Sequence, residues 1–174
     1  MSERASEPPG FPALKVRGTM NKLVGEVYLI GTNGYELVRQ IGEDLDMDLN
    51  LRWSVFEAKK ISNRLKVIVK SFIELHPAFA CLQPNRGIYR GLERTAIERE
   101  IRALRECSDV KGVPHFLERS SREVAQDQRF EYPGGELDVV VMTRLPGYPL
   151  NFYYGQLDTW EVEHIRTQVL TIVR

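Results

Sequence analysis

Residues 137–142 read Leu-Asp-Val-Val-Val-Met, and so apolar a run belongs in a strand covered on both faces. A chain holding such a strand needs a sheet around it and packing on each side. Other strand candidates fit that need. Glu26–Ile30 is a short strand, closed by the turn-forming Gly31-Thr-Asn-Gly34. Tyr35–Ile41 alternates apolar and polar residues and ends at Gly42. Trp53–Ala58 and Leu65–Phe72 flank a Lys59–Asn63 turn and predict an antiparallel hairpin. Val113–Leu117 is a further strand. The acidic stretch Glu43–Asp48 reads as a loop, residues 73–90 as irregular, and 120–135 as a polar surface loop.

Two segments carry helical periodicity. In Leu92–Cys107, Ile97, Ile101 and Leu104 recur at spacings of four and three and form one apolar stripe. A second helix opens at Asp158, with Glu161 three residues on as in a capping box. Val162, Ile165, Val169 and Ile172 continue its stripe. No glycine, proline or polar stop precedes Arg174, so the chain reads as cut within a helix. Residues 1–22 are polar and Pro-rich and read as a disordered leader without the apolar centre of a signal peptide.

Composition excludes several classes. The 174 residues suffice for one domain or one lobe of a larger one. Basic and acidic side chains number 24 each, and no long basic run occurs. Electrostatics therefore give no case for nucleic acid or a membrane surface. No apolar stretch reaches the ~20 residues of a membrane span. Cys81 and Cys107 lack metal spacing and read as thiols in a reducing compartment, with cytoplasm or nucleus as the expected location. His76, His115 and His164 share no metal spacing either, and no metal site is expected. Trp53 and Trp160 read as core or partial core, and Phe152–Tyr154 as packing against the final helix.

One pair carries chemistry. Lys70 ends the strand Val67-Ile-Val-Lys70, and Glu100 lies on the next helix beside its apolar stripe. An ammonium neutralises a nucleotide phosphate, and a carboxylate partner keeps the long side chain aimed. Glu98 points further to the side and is the poorer partner.

These residues, in this order, resemble the small lobe of the protein-kinase-like fold over about residues 35–174. Val67-Ile-Val-Lys70 resembles its Val-Ala-Ile-Lys strand. Val55-Phe-Glu-Ala58 resembles the strand before it, and Glu100-Ile-Arg-Ala-Leu104 the helix that supplies the lysine's partner. Val139–Leu150 resembles the strand leading into the hinge, with Met142 at the gatekeeper place and Thr143, Arg144 and Leu145 as the hinge. The resemblance implies an α+β fold, with an antiparallel five-stranded sheet, one flanking helix and the start of a helical large lobe. It divides the chain into a leader (1–22), a lobe (23–145) and a following segment with the first large-lobe helix (146–174). It implies ATP as ligand, held by Lys70, Glu100, Gly42, Val55, Met142, Thr143, Arg144 and Leu145, with Mg only in a full-length form.

The sequence also departs from that family. Its phosphate-covering loop needs several glycines for close backbone approach, whereas Ile41-Gly-Glu-Asp44 offers only Gly42. Asp44, Asp46 and Asp48 would repel a triphosphate. No catalytic loop or Asp-Phe-Gly motif occurs, so no catalytic residue is expected and phosphoryl transfer is not expected of this chain. The alternative is a pseudokinase-type fragment that binds proteins through its exposed final helix and takes no nucleotide.

Overall fold

The computed structural model describes residues 19–77, 86–124, 130, 132–147, 153 and 155–173. The readings made for Cys81, Phe152 and Tyr154, and for most of the leader, lie outside these residues. Six strands form one antiparallel sheet: β1 (Val27–Ile30), β2 (Asn33–Asp46), β3 (Leu51–Lys60), β4 (Lys66–Glu74), β5 (Phe116–Glu123) and β6 (Glu136–Thr143). Their order is β1-β2-β3-β4-β6-β5. Two α-helices accompany them, α1 (Arg86–Glu106) and α2 (Thr159–Val173).

The expected α+β lobe with a five-stranded sheet is therefore corrected. The sheet has six strands, is nearly closed into a barrel, and the fold is mostly β. The Glu26–Ile30 strand is what changes the count, because it joins the same sheet through β2. It also brings the two edges together. The Arg122 guanidinium of β5 lies 5.8 Å from the Tyr28 ring of β1. Asn33 donates to Glu118 of β5 at 2.5 Å, and Lys60 pairs with the same carboxylate at 3.7 Å.

Curling the sheet gives it two cores. Inside, Tyr35, Leu37, Phe56, Val67, Val69, Val139 and Val141 are buried together with Met20 and Leu23. The last two belong to a 3₁₀ turn, Met20–Leu23, so residues 20–22, placed in the leader from sequence, here cap the barrel interior. Outside, the α1 stripe of Ile97, Ile101 and Leu104 packs on Leu51, Phe72, Val140 and Met142. The 137–142 run is covered on both sides because its alternate residues face these two cores.

Three boundaries moved for local reasons. β2 runs past Gly42 into the acidic stretch, since Glu43, Asp44 and Leu45 pair with Ser54, Trp53 and Arg52. α1 begins at Arg86, well before Leu92, because Tyr89 and Glu93 are buried on the same side as Ile97. β5 is polar and extends to Glu123 because an edge strand needs ladder bonds more than apolar faces. α2 has the reciprocal capping box, with Glu161 N–H donating to Asp158 at 2.8 Å and Asp158 N–H to Glu161 at 2.9 Å. Trp160 is 71% exposed and stacks on His164, so it is no core residue.

Candidate functional site

Register places Lys70. On the face under α1, Gly42 pairs with Val55, Val55 with Lys70, and Lys70 with Val140. Docking of the α1 stripe on Val140 and Phe72 brings Glu100 over this row. The Lys70 ammonium donates to both Glu100 oxygens, at 2.7 and 2.9 Å. Two rings flank the same ammonium, Phe72 at 4.9 Å and Trp53 at 5.4 Å. Glu98, the rejected partner, pairs instead with Arg119 on β5.

The pair is poorly explained as a stabilising device. Its side chains are 21% and 31% exposed, and such ion pairs contribute about 0–1 kcal/mol. What it does achieve is to fix a cation at one place with an open side.

An open cleft of about 350 Å³ adjoins it on the same face, lined by Ile41, Glu57, Ile68, Pro114 and the Met142–Gly147 segment. Ile68 is two residues before Lys70 on β4, so the cleft floor and the ammonium lie one pleat repeat apart, roughly 7 Å. The floor is apolar. One wall is an irregular segment where, among the described residues, no backbone hydrogen bond engages the N–H groups of Arg144 and Leu145. The Thr143 N–H is already committed to the His115 carbonyl at 2.9 Å, and the Thr143 hydroxyl accepts from the His115 N–H at 2.8 Å.

The structure thus brings Lys70, Glu100, Val55 and Gly42 into one patch, and Met142, Thr143, Arg144 and Leu145 into the cleft beside it. Gly42 is not in a loop. It is a strand residue next to a register shift in β2, and a side chain there would meet Trp53 and Val55 only at ordinary contact distances. A glycine loop folded over phosphates is accordingly absent at this position. The exposed Asp44 carboxylate bonds its neighbour's N–H, Leu45, at 2.8 Å and pairs in register with Trp53, one row beyond Lys70.

Sequence reading missed Glu57 and Arg39. Glu57 stands in the cleft wall and binds Arg39 and Arg144, each at 3.1 Å. Desolvation pushes its carboxyl up, but hydrogen bonds and charge from the two guanidinium groups outweigh it and hold it below the usual carboxylate range. The signal lay in the hairpin: once β2 and β3 are paired, Arg39 faces Glu57 directly. Among the described residues no cluster of His, Cys, Asp or Glu is arranged to hold a metal ion. No helix among them is long and apolar enough to cross a membrane.

Neither protein-family models nor curated proteins match this chain.

Proposed function

We propose that this chain binds a nucleotide, ATP foremost, with the phosphates at Lys70 and the base in the cleft beside Met142–Leu145. The observation carrying the reading is the two-oxygen clamp of Glu100 on Lys70, next to an apolar-floored cleft where, among the described residues, no backbone hydrogen bond engages the Arg144 and Leu145 N–H groups. An adenine edge needs such donors, and its faces need apolar walls such as Ile41 and Ile68. The ligand class comes from the resemblance to protein-kinase-like phosphotransferases. The chain is read as a nucleotide-binding module on a six-stranded, mostly β fold, without the residues for transfer itself.

Lys70→Met tests the proposal. A phosphate held by a charge-assisted bond loses about 1.5–3 kcal/mol with its donor, so ATP affinity falls about tenfold or more. Because the pair adds little stability, the unfolding midpoint without ligand stays nearly unchanged. Titration calorimetry and thermal unfolding, with and without ATP, read the two effects. Equal ATP affinity in both proteins overturns the proposal.

One observation favours a second reading, a protein-binding module. Val169 and Leu170 of α2 are about half exposed, and with Tyr153, Leu157, Val162 and Ile165 they line an apolar groove of about 490 Å³. Lack of any ATP-induced shift, together with a partner complex broken by Leu170→Asp, selects that reading.

A further inference from the structure

Lys59 of β3 and Lys66 of β4 are paired directly opposite each other. Like charges in that position repel and destabilise a sheet. Neither ammonium has an ion-pair or hydrogen-bond partner among the described residues. Cross-strand from Lys59, Glu36 is engaged by Arg64 at 3.5 Å. The two lysines line a pocket of about 230 Å³ with Val38, Glu57, Ala58 and Arg144. Arg144 reaches Glu57 through its Nε at 3.1 Å. Its two terminal nitrogens donate no hydrogen bond among the described residues. Arg39 already shares the Glu57 carboxylate, at 3.1 Å. Glu57 is thus shared by two guanidinium groups, while Lys59 and Lys66 line the same pocket without a carboxylate partner among the described residues.

We propose that Lys59, Lys66 and Arg144 form an anion site for the phosphate monoester group of a small molecule, separate from Lys70. A planar guanidinium and two ammonium groups match a tetrahedral dianion better than a flat monoanionic carboxylate. Bound phosphate also relieves the repulsion between the lysines, so the site gains stability on loading. Lys66 and Lys70 are four residues apart on one strand, roughly 13 Å, too far to share one phosphate. The inference does not rest on the nucleotide reading.

Nitrogen-edited NMR of the full chain, titrated with inorganic phosphate at constant ionic strength, tests it. Saturable shifts are expected around Lys59, Lys66 and Arg144. Lys66→Gln and, separately, Lys59→Gln each weaken binding at these positions about tenfold, and neither alters any shift at the Lys70–Glu100 pair. Each glutamine variant also unfolds at no lower temperature than the parent without phosphate, and loses the rise that phosphate gives the parent. Shifts that never saturate, or that spread over all exposed lysines, overturn the site. So does phosphate binding lost in Lys70→Met but kept in Lys66→Gln. Failure of ATP to bind, with these phosphate shifts intact, counts against the nucleotide reading alone.

Discussion

Replacing Glu93 by glutamine flattens the fall in stability between pH 4.5 and about 8. Glu93, on the buried side of α1, is 4% exposed, and its Oε1 has no hydrogen-bond partner among the described residues. Burial, then the charges of Glu74 and Glu136, push its carboxyl from 4.5 to about 8, with Arg90 opposing and Asp138 adding to the rise. The surrounding charges come from every packed element. Arg90 and Arg94 of α1 hold Glu136 of β6 at 2.7 and 3.4 Å, and Arg90 lies 3.9 Å from Glu74 of β4. Arg119 of β5 reaches Asp138 at 3.8 Å. The folded protein keeps the Glu93 proton to higher pH than the unfolded chain does. Its contribution is therefore complete below pH 4.5 and drains away as pH rises towards 8. The slope is at most about 1.4 kcal/mol per pH unit. Urea unfolding across this range shows the loss in the parent and a much weaker one in Glu93→Gln. A small slope remains because burial also raises the Asp138 carboxyl, against the hydrogen bond from Ser121 and the charge of Arg119. Equal slopes in both proteins contradict the assignment.

Glu43→Ala has the opposite pH signature and a large effect at neutrality. Glu43 pairs with the buried Arg52 at 3.1 Å and accepts from Gln40 at 2.8 Å and the Met20 N–H at 3.0 and 3.2 Å. It also takes the Thr19 hydroxyl. One carboxylate thus ties the N-terminal 3₁₀ turn, β2 and β3 together. Removing one partner of a buried ion pair costs about 3 kcal/mol, and the midpoint of urea unfolding at pH 7 should fall accordingly. Desolvation raises the Glu43 carboxyl, but the bonds from Thr19, Met20 and Gln40 and the Arg52 charge prevail and lower it. Its contribution is present above the unfolded value of 4.5 and is lost as pH falls below it. The parent therefore loses stability on the acid side more steeply than Glu43→Ala. A variant as stable as the parent at pH 7 contradicts this role. With Glu57 acting in the same direction as Glu43 and Glu93 in the other, maximal stability lies on the acid side of neutrality.

Local pattern made β1 to β4, β6 and both helices visible, because each carries periodicity or a cap that acts within a few residues, whereas the Val113–Leu117 reading meets β5 only at Phe116 and Leu117. It also placed Glu100 on the inward flank of α1 and Glu98 outside it, since helix geometry alone decides that. Closure was not legible. Whether β1, once paired with β2, closes on β5 depends on contacts such as Tyr28 with Arg122, almost the whole described sheet away in sequence. The acidic stretch misled for a related reason. Asp and Glu in sequence suggest a loop, but Glu43 is satisfied by Arg52 on the next strand and Asp44 lies across from Trp53. Composition reports charge, while pairing depends on register. Likewise Gly42 invites a loop reading, yet its place in β2 follows from the length of β3. The Arg39–Glu57–Arg144 cluster needed both the hairpin register and the path of the segment after β6.

The most direct measurement is ATP titration of the isotopically labelled chain by NMR, in parent and Lys70→Met proteins. The expected result is saturable change at two places together, the Lys70–Glu100 pair and the amides of Arg144 and Leu145, weakened about tenfold or more in the variant. Shifts confined to Lys59 and Lys66, or shifts at Arg144 and Leu145 that the Lys70→Met substitution leaves untouched, would contradict a nucleotide spanning clamp and cleft.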